Sequence, residues 1–112
     1  MTQASVNLEW LRELTGGDRD LEEALFQEFF SSSELLLTQL TQALESDDSN
    51  AWKSVAHALK GVAYNLGAQQ MGDYCMTAQD DYEASRDVKE PLLHSISQEY
   101  GQVKAFLEKE IS

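Results

Sequence analysis

The sequence has few of the residues that interrupt helices or cross-link a chain. It contains one proline, Pro91, and one cysteine, Cys75, among 112 residues. A single cysteine excludes an internal disulfide, as expected in a reducing cytosol. The scarcity of proline, together with the lack of alternating strand-type residues, predicts an all-helical fold.

Long apolar runs are missing as well. No stretch approaches the roughly 20 residues that a membrane-spanning helix needs. The chain opens at Met1 without the basic-then-apolar pattern of a secretory leader. A length of 112 residues fits one domain. We therefore expect a single domain over residues 1–112, located in the cytoplasm and without contact to a membrane.

Positive charge is also scarce, since 20 acidic residues face 8 basic ones and the formal net charge is -12. Such a field repels the phosphates of nucleic acids, so DNA or RNA binding is not expected. The same charge does not favour self-association, and we expect a monomer. A local group of lysines stands out against this acidic background.

The apolar residues that are present follow helical spacing. A short first helix carries leucines at three-residue steps from Leu8 to Leu14 and stops at a glycine pair. Asp18 can cap a second helix that runs to about Leu44. A third helix is predicted to begin near Ser49 or Asn50.

Two further helices complete the prediction. The third helix ends before Gly67, which is free to adopt the left-handed conformation. A fourth helix follows with Met71 and Cys75 on its apolar face, and the last helix is predicted to start around Pro91. Four long amphipathic helices with short connections predict an antiparallel four-helix bundle (up-down-up-down) with a short extra N-terminal helix.

The third helix carries a polar face that differs from an ordinary solvated one. Its predicted buried stripe comprises Trp52, Val55, Leu59, Val62 and Leu66. On the opposite side lies His57, with Lys60 three residues later and Gly61 four residues later. Histidine can act as a nucleophile near neutral pH, a lysine one turn away attracts anions, and glycine leaves space. The pattern favours chemistry on a phosphate, although position alone also fits a plain solvated face.

His94 provides a comparison within the same chain. It too lies off the apolar side of its helix, but Ser97 and Gln98 occupy the equivalent following positions. It has neither a nearby cation nor a small neighbour, so we interpret it as a surface histidine. Two histidines in separate helices and one cysteine do not form a metal-ligand pattern, and no phosphate-binding glycine loop is present.

These residues resemble the histidine-containing phosphotransfer (HPt) family of multistep phosphorelays, whose pattern is roughly A-H-x-L-K-G followed by L/I-G-A and C-x-x-L-E. The chain reads Ala56-His57-Ala58-Leu59-Lys60-Gly61, then Leu66-Gly67-Ala68, then Cys75-Met76-Thr77-Ala78-Gln79. It departs from the pattern at Val62, where serine or alanine is common, and at Ala78-Gln79, where Leu-Glu is frequent. Val62 is expected to face the core.

The resemblance implies a role for each matching residue. His57 would carry the phosphoryl group, Lys60 would stabilise its oxygens, Gly61 would allow access, and Gln79 would orient the imidazole. The implied partners are the receiver domains of a hybrid sensor kinase and of a response regulator. Mg²⁺ would be supplied by the receiver, with no cofactor bound by this chain, which would be a stoichiometric carrier rather than an enzyme. The alternative is a non-phosphorylated helical module that regulates a kinase or receiver by binding.

Overall fold

The computed structural model describes residues 6–110, which contain five α-helices and no strand. The helices are α1 (Leu8–Thr15), α2 (Arg19–Glu45), α3 (Ser49–Leu66), α4 (Gln69–Asp80) and α5 (Arg86–Glu110). Helix α3 packs against α2 and α4, and α5 closes the ring by packing against the same two helices. The predicted four-helix bundle with a short N-terminal helix is confirmed. Residues 1–5 and 111–112 of the predicted domain, Met1 included, lie outside the described range.

Within residues 6–110, the structure has no helix that combines the length and the apolar character needed to cross a bilayer.

Local side-chain chemistry fixes the ends of the helices around α3. The Asp18 carboxylate accepts a hydrogen bond from the Leu21 amide at 3.1 Å and caps α2, as predicted. The Asp48 carboxylate does the same for α3 through the Ala51 amide at 3.0 Å. Gly67 ends α3 with φ at 85°, the left-handed conformation expected of it. Its amide and that of Ala68 satisfy carbonyls of the last turn, so α4 can start at once.

The start of α5 was predicted wrongly. The helix begins at Arg86 rather than around Pro91, which lies inside it. The Ser85 carbonyl accepts hydrogen bonds from the amides of Val88 and Lys89, so one helical turn forms before the proline is reached. Pro91 has no N–H to donate, but its fixed φ is compatible with a helix. The first turn of α5 does not need that N–H, because it is formed by the hydrogen bonds from Val88 and Lys89 to Ser85.

The buried face of α3 differs from the predicted stripe at two places. Ala56 and Ala63 are completely buried, whereas Val55 and Val62 are half-buried. The remaining buried residues of the helix are those predicted: Trp52, Leu59 and Leu66. Because a methyl group takes little room, alanine at the contact positions allows α2 and α4 to pack closely on α3. The turn of the helix that carries His57 is thereby fixed from beneath.

Candidate functional site

His57 lies in the middle of α3 with its side chain exposed. Its ring makes one hydrogen bond, between Nδ1 and the Gln79 Oε1 of α4, at 3.3 Å. An amide oxygen is an acceptor only, so this contact requires the proton on Nδ1. The Nε2 atom then keeps its lone pair, and it has no hydrogen-bond partner within residues 6–110. The arrangement leaves one ring nitrogen ready for an electrophile.

A buried hydrogen bond sets the position of Gln79. The indole Nε1 of Trp52, which is completely buried, donates to the Ala78 carbonyl at 2.8 Å. Trp52 precedes His57 on α3, and Ala78 directly precedes Gln79 on α4. A buried indole N–H without an acceptor would lower the stability of the folded protein by about 1–3 kcal/mol. This hydrogen bond therefore holds α3 and α4 together next to His57 and Gln79.

A shallow depression surrounds the histidine. It is lined by Asn50, Lys53, Ser54, His57 and Gln79. Three of the lining residues lie seven, four and three positions before His57 and so share its face of α3. All five lining residues have polar side chains and one of them is a cation, which suits an anionic group.

The next turn of α3 holds Lys60 and Gly61. Lys60 is half-buried and forms no ion pair with any residue in the range 6–110. A Cβ placed on Gly61 would meet no heavy atom within 4 Å. The bundle therefore does not require glycine at this position, and the surface above it is open.

Tyr64 continues the same face and braces α3 against α4. Its hydroxyl donates to the Asp73 carboxylate at 2.6 Å, and this bond raises the pKa of Tyr64 to about 12. Its ring lies on Gly72, where any Cβ would overlap it. The brace extends the contact between the two helices that carry the site.

Two other reactive side chains lie outside the site. Cys75 is completely buried, and burial raises the pKa of its thiol to about 12, so it stays protonated and inert. His94 is exposed on α5 and has no hydrogen bond or ion pair with another described residue. Within residues 6–110 no group of His, Cys, Asp or Glu side chains has the arrangement of a metal site.

The structure brings His57 and Gln79 into contact and places Lys60 and Gly61 on the turn that follows the histidine. The prediction that Gln79 reaches the imidazole depended on the resemblance alone, because the residues are 22 positions apart. Asn50, Lys53 and Ser54 were not assigned to the site from the sequence. Their spacing from His57 on one helix was the signal that could have identified them.

The structure is a four-helix bundle that presents an exposed histidine, with one ring nitrogen held by an amide and the other without a hydrogen-bond partner within residues 6–110, an arrangement that suits a helical phosphotransfer module. The chain belongs to the Hpt domain family, whose model matches residues 24–108. Its role is accordingly phosphotransfer in two-component signalling. Proteins of this family act as phosphocarriers, and they interact with receiver domains.

The fold is similar to the crystal structure of histidine-containing phosphotransfer protein B (HptB) from Pseudomonas aeruginosa PAO1. The TM-score is 0.88 with 23% sequence identity, over 98% of this chain and 96% of that chain. At this level of identity the likeness concerns the fold. No curated protein matches the chain.

Proposed function

We propose that this chain accepts a phosphoryl group on His57 from the aspartyl phosphate of one receiver domain and passes it to the aspartate of another. The donor would be the receiver of a hybrid sensor kinase, and the acceptor that of a response regulator. The observation that carries the proposal is the exposed His57 ring, whose Nδ1 contacts Gln79 while Nε2 has no hydrogen-bond partner within residues 6–110.

In the first step the Nε2 lone pair attacks the phosphorus. The Nε2–P bond forms as the bond between phosphorus and the aspartyl oxygen breaks, and the donor aspartate leaves as a carboxylate. The ring retains its Nδ1 proton and becomes a cation. The Gln79 Oε1, which accepts that proton's hydrogen bond, stabilises the cation.

The second step reverses these events on a new partner. A carboxylate oxygen of the acceptor attacks the phosphorus, the Nε2–P bond breaks, and its electron pair returns to the ring. A ring that keeps its Nδ1 proton leaves as neutral imidazole, which is a better leaving group than an anion. Gln79 thus serves both directions by retaining the proton on Nδ1.

Local positive charge offsets the acidity of the chain. A protein with a net charge of -12 repels a phosphoryl group at long range. Lys60, without a carboxylate partner in the described chain, would contact the phosphoryl oxygens at close range. Mg²⁺ in the receiver would neutralise the same group from the opposite side. Because Gly61 has no side chain and the space above it is open, a receiver can approach the histidine over this position.

The test is transfer from phosphorylated receiver domains of the same genome, followed by mapping of the phosphopeptide. We expect an acid-labile, alkali-stable phosphate on the peptide that contains His57 and none on the peptide that contains His94. If no receiver transfers phosphate but receivers still bind the chain, the protein is a non-phosphorylated interaction module and the proposal is wrong.

A further inference from the structure

The face of α3 around His57 holds a second lysine. Lys53 lies four residues before His57, and Lys60 lies three residues after it. Residues at these offsets are neighbours on a helix surface. Lys53 also lines the same depression as His57 and Gln79. The histidine is therefore flanked by a cation on the turn before it and by another on the turn after it.

An aromatic ring, rather than a carboxylate, holds Lys53. Its Nζ lies 4.4 Å from the centroid of the Tyr82 ring. No Asp or Glu within residues 6–110 forms an ion pair with it, although Asp80 and Asp81 directly precede Tyr82. Tyr82 is half-buried, and a surface cation over such a ring is held less firmly than one paired with a fixed anion, so this ammonium is free to move to a stronger partner.

Lys89 and Lys104 also lie over aromatic rings, those of Trp52 and Phe30, but each has a polar partner in addition. The ammonium of Lys104 donates to the Glu34 carboxylate at 2.9 Å. Lys89 is buried and donates to the Ser49 hydroxyl at 3.4 Å. Each is used in joining α5 to another part of the bundle. Lys53 is exposed and joins no two long helices, so its contact with Tyr82 positions the lysine rather than the fold.

We propose that Lys53 is a second phosphoryl-contacting residue, stored over Tyr82 until His57 is phosphorylated. The Cβ atoms of residues four apart on a helix are about 6 Å from each other, which is within the reach of a lysine side chain. A phosphoryl group on Nε2 would attract the ammonium far more strongly than the ring does. Lys53 would then leave Tyr82 and donate to the phosphoryl oxygens, opposite Lys60.

This inference rests on the proposed phosphorylation of His57 and adds a consequence to it. A phosphoryl group held by cations on both sides is shielded from water, and the phosphohistidine lasts longer. No covalent bond changes in this step. Removing Lys53 should therefore shorten the lifetime of the phosphorylated protein without unfolding it.

The experiment uses the intact chain and phosphoramidate, a small donor that phosphorylates histidine without a receiver. In the unphosphorylated protein, NMR should show the Lys53 Hε protons shifted upfield by the Tyr82 ring, and Tyr82→Leu should remove this shift. On phosphorylation of the wild type, the same protons should move to the unshielded position. Lys53→Gln should shorten the half-life of the phosphohistidine by up to about fivefold, the change expected when one exposed charge contact is lost.

Matched variants separate charge, structure and site. Lys104→Gln removes the same net charge at a distance and should leave the lifetime unchanged, and Lys53→Arg should restore most of it. If the wild type is phosphorylated but Lys53 stays over Tyr82 and Lys53→Gln has the wild-type lifetime, this inference is wrong. Phosphoramidate labelling of His57 without transfer from any receiver would instead overturn the proposed relay. Absence of label from both sources overturns both.

Discussion

Both histidines of this chain are exposed, yet the residues around them differ in charge. His57 has lysines four residues before and three residues after it, whereas Glu90 and Ser97 occupy those positions around His94. Glu90 is negatively charged and forms an ion pair with Arg86 at 3.2 Å, so His94 has no cation at the position where His57 has Lys53. Exposure therefore does not distinguish the two histidines, whereas the charge of their neighbours does.

The comparison extends beneath the surface. His57 is held through Nδ1 by Gln79, and the Trp52–Ala78 hydrogen bond fixes the helix that supplies this amide. His94 has no such partner among residues 6–110. The His57 ring is positioned by a hydrogen-bond partner, and the His94 ring has none among the described residues. Positioning is the main contribution that a protein makes to phosphoryl transfer.

The largest expected effect separates the two histidines directly. His57→Gln should abolish phosphoryl acceptance, with a loss of more than a hundredfold, because it removes the nucleophile. His94→Gln should transfer at the wild-type rate within a factor of about two, since surface substitutions rarely change more than ~0.5 kcal/mol. Both are measured by timed transfer from a phosphorylated receiver. Residual phosphate on His57→Gln would place the acceptor elsewhere.

The next effect concerns the cation that follows each histidine. Lys60→Gln should slow transfer about tenfold, or ~1.4 kcal/mol, because a phosphoryl oxygen loses its charged partner. Ser97→Gln introduces the same side chain at the same offset from His94 and should change nothing. A rate for Lys60→Gln equal to that of Ser97→Gln would assign Lys60 to the solvated surface.

A smaller effect should follow from loss of the amide. Gln79→Leu keeps the size of the side chain but removes the acceptor, and we expect transfer to slow by about three- to fivefold for one lost neutral hydrogen bond. The ¹⁵N shifts of the two rings provide the structural measurement. His57 should be the Nδ1–H tautomer in the wild type and move toward the mixture shown by His94 in the variant. If the wild-type tautomers of both rings are already the same, Gln79 does not orient His57.

The limits of prediction from the sequence follow from the range of each interaction. The five helices, the Asp18 cap and the left-handed Gly67 depend on neighbours within a few residues, and all were predicted except for the start of α5. The contacts Trp52–Ala78 and Lys53–Tyr82 join positions more than 25 residues apart, so periodicity gives no sign of them. These two contacts depend on how α4 and the turn that follows it pack against α3.

Two errors have local physical causes. The start of α5 was placed too late because Pro91 was read as a first-turn residue, whereas Ser85 had already accepted the first helical bonds. On α3, Val55 and Val62 pack against the core as predicted but are only half-buried, and the fully buried positions beside them, Ala56 and Ala63, were missed. Valine is the more hydrophobic residue, but α3 packs against both α2 and α4, and a smaller side chain allows the helices to come closer. Alanine therefore occupies the most buried positions of α3.

The smallest expected effect compares the positions seven residues after each histidine. Tyr64 is there after His57 and lies on Gly72, while Gly101 is there after His94 and faces open space. Gly101→Ala should stabilise the protein by up to about 1 kcal/mol, the usual helix gain over glycine. Gly72→Ala has the same gain, but it must displace the Tyr64 ring and break the bond to Asp73, so its net change should be near zero. Chemical denaturation measures both, and the transfer rate of Gly101→Ala, a surface change, should stay within about twofold of wild type.

The difference in stability between Gly101→Ala and Gly72→Ala should depend on pH if it arises from the loss of the Tyr64–Asp73 hydrogen bond. Tyr64 has a pKa of about 12 in the folded protein, raised by its bond to Asp73, against about 10 for an unperturbed tyrosine. Its contribution to stability is therefore full below pH 10 and declines as the pH rises from 10 toward 12. Gly101→Ala retains this bond and should lose stability over that range, whereas Gly72→Ala has already lost it. The gap between the two variants should accordingly narrow above pH 10, and an absorbance titration of Gly72→Ala should show the Tyr64 pKa returned toward 10. A stability difference that does not change with pH would mean that the Tyr64–Asp73 hydrogen bond survives the added methyl group and that α4 shifts to make room for it.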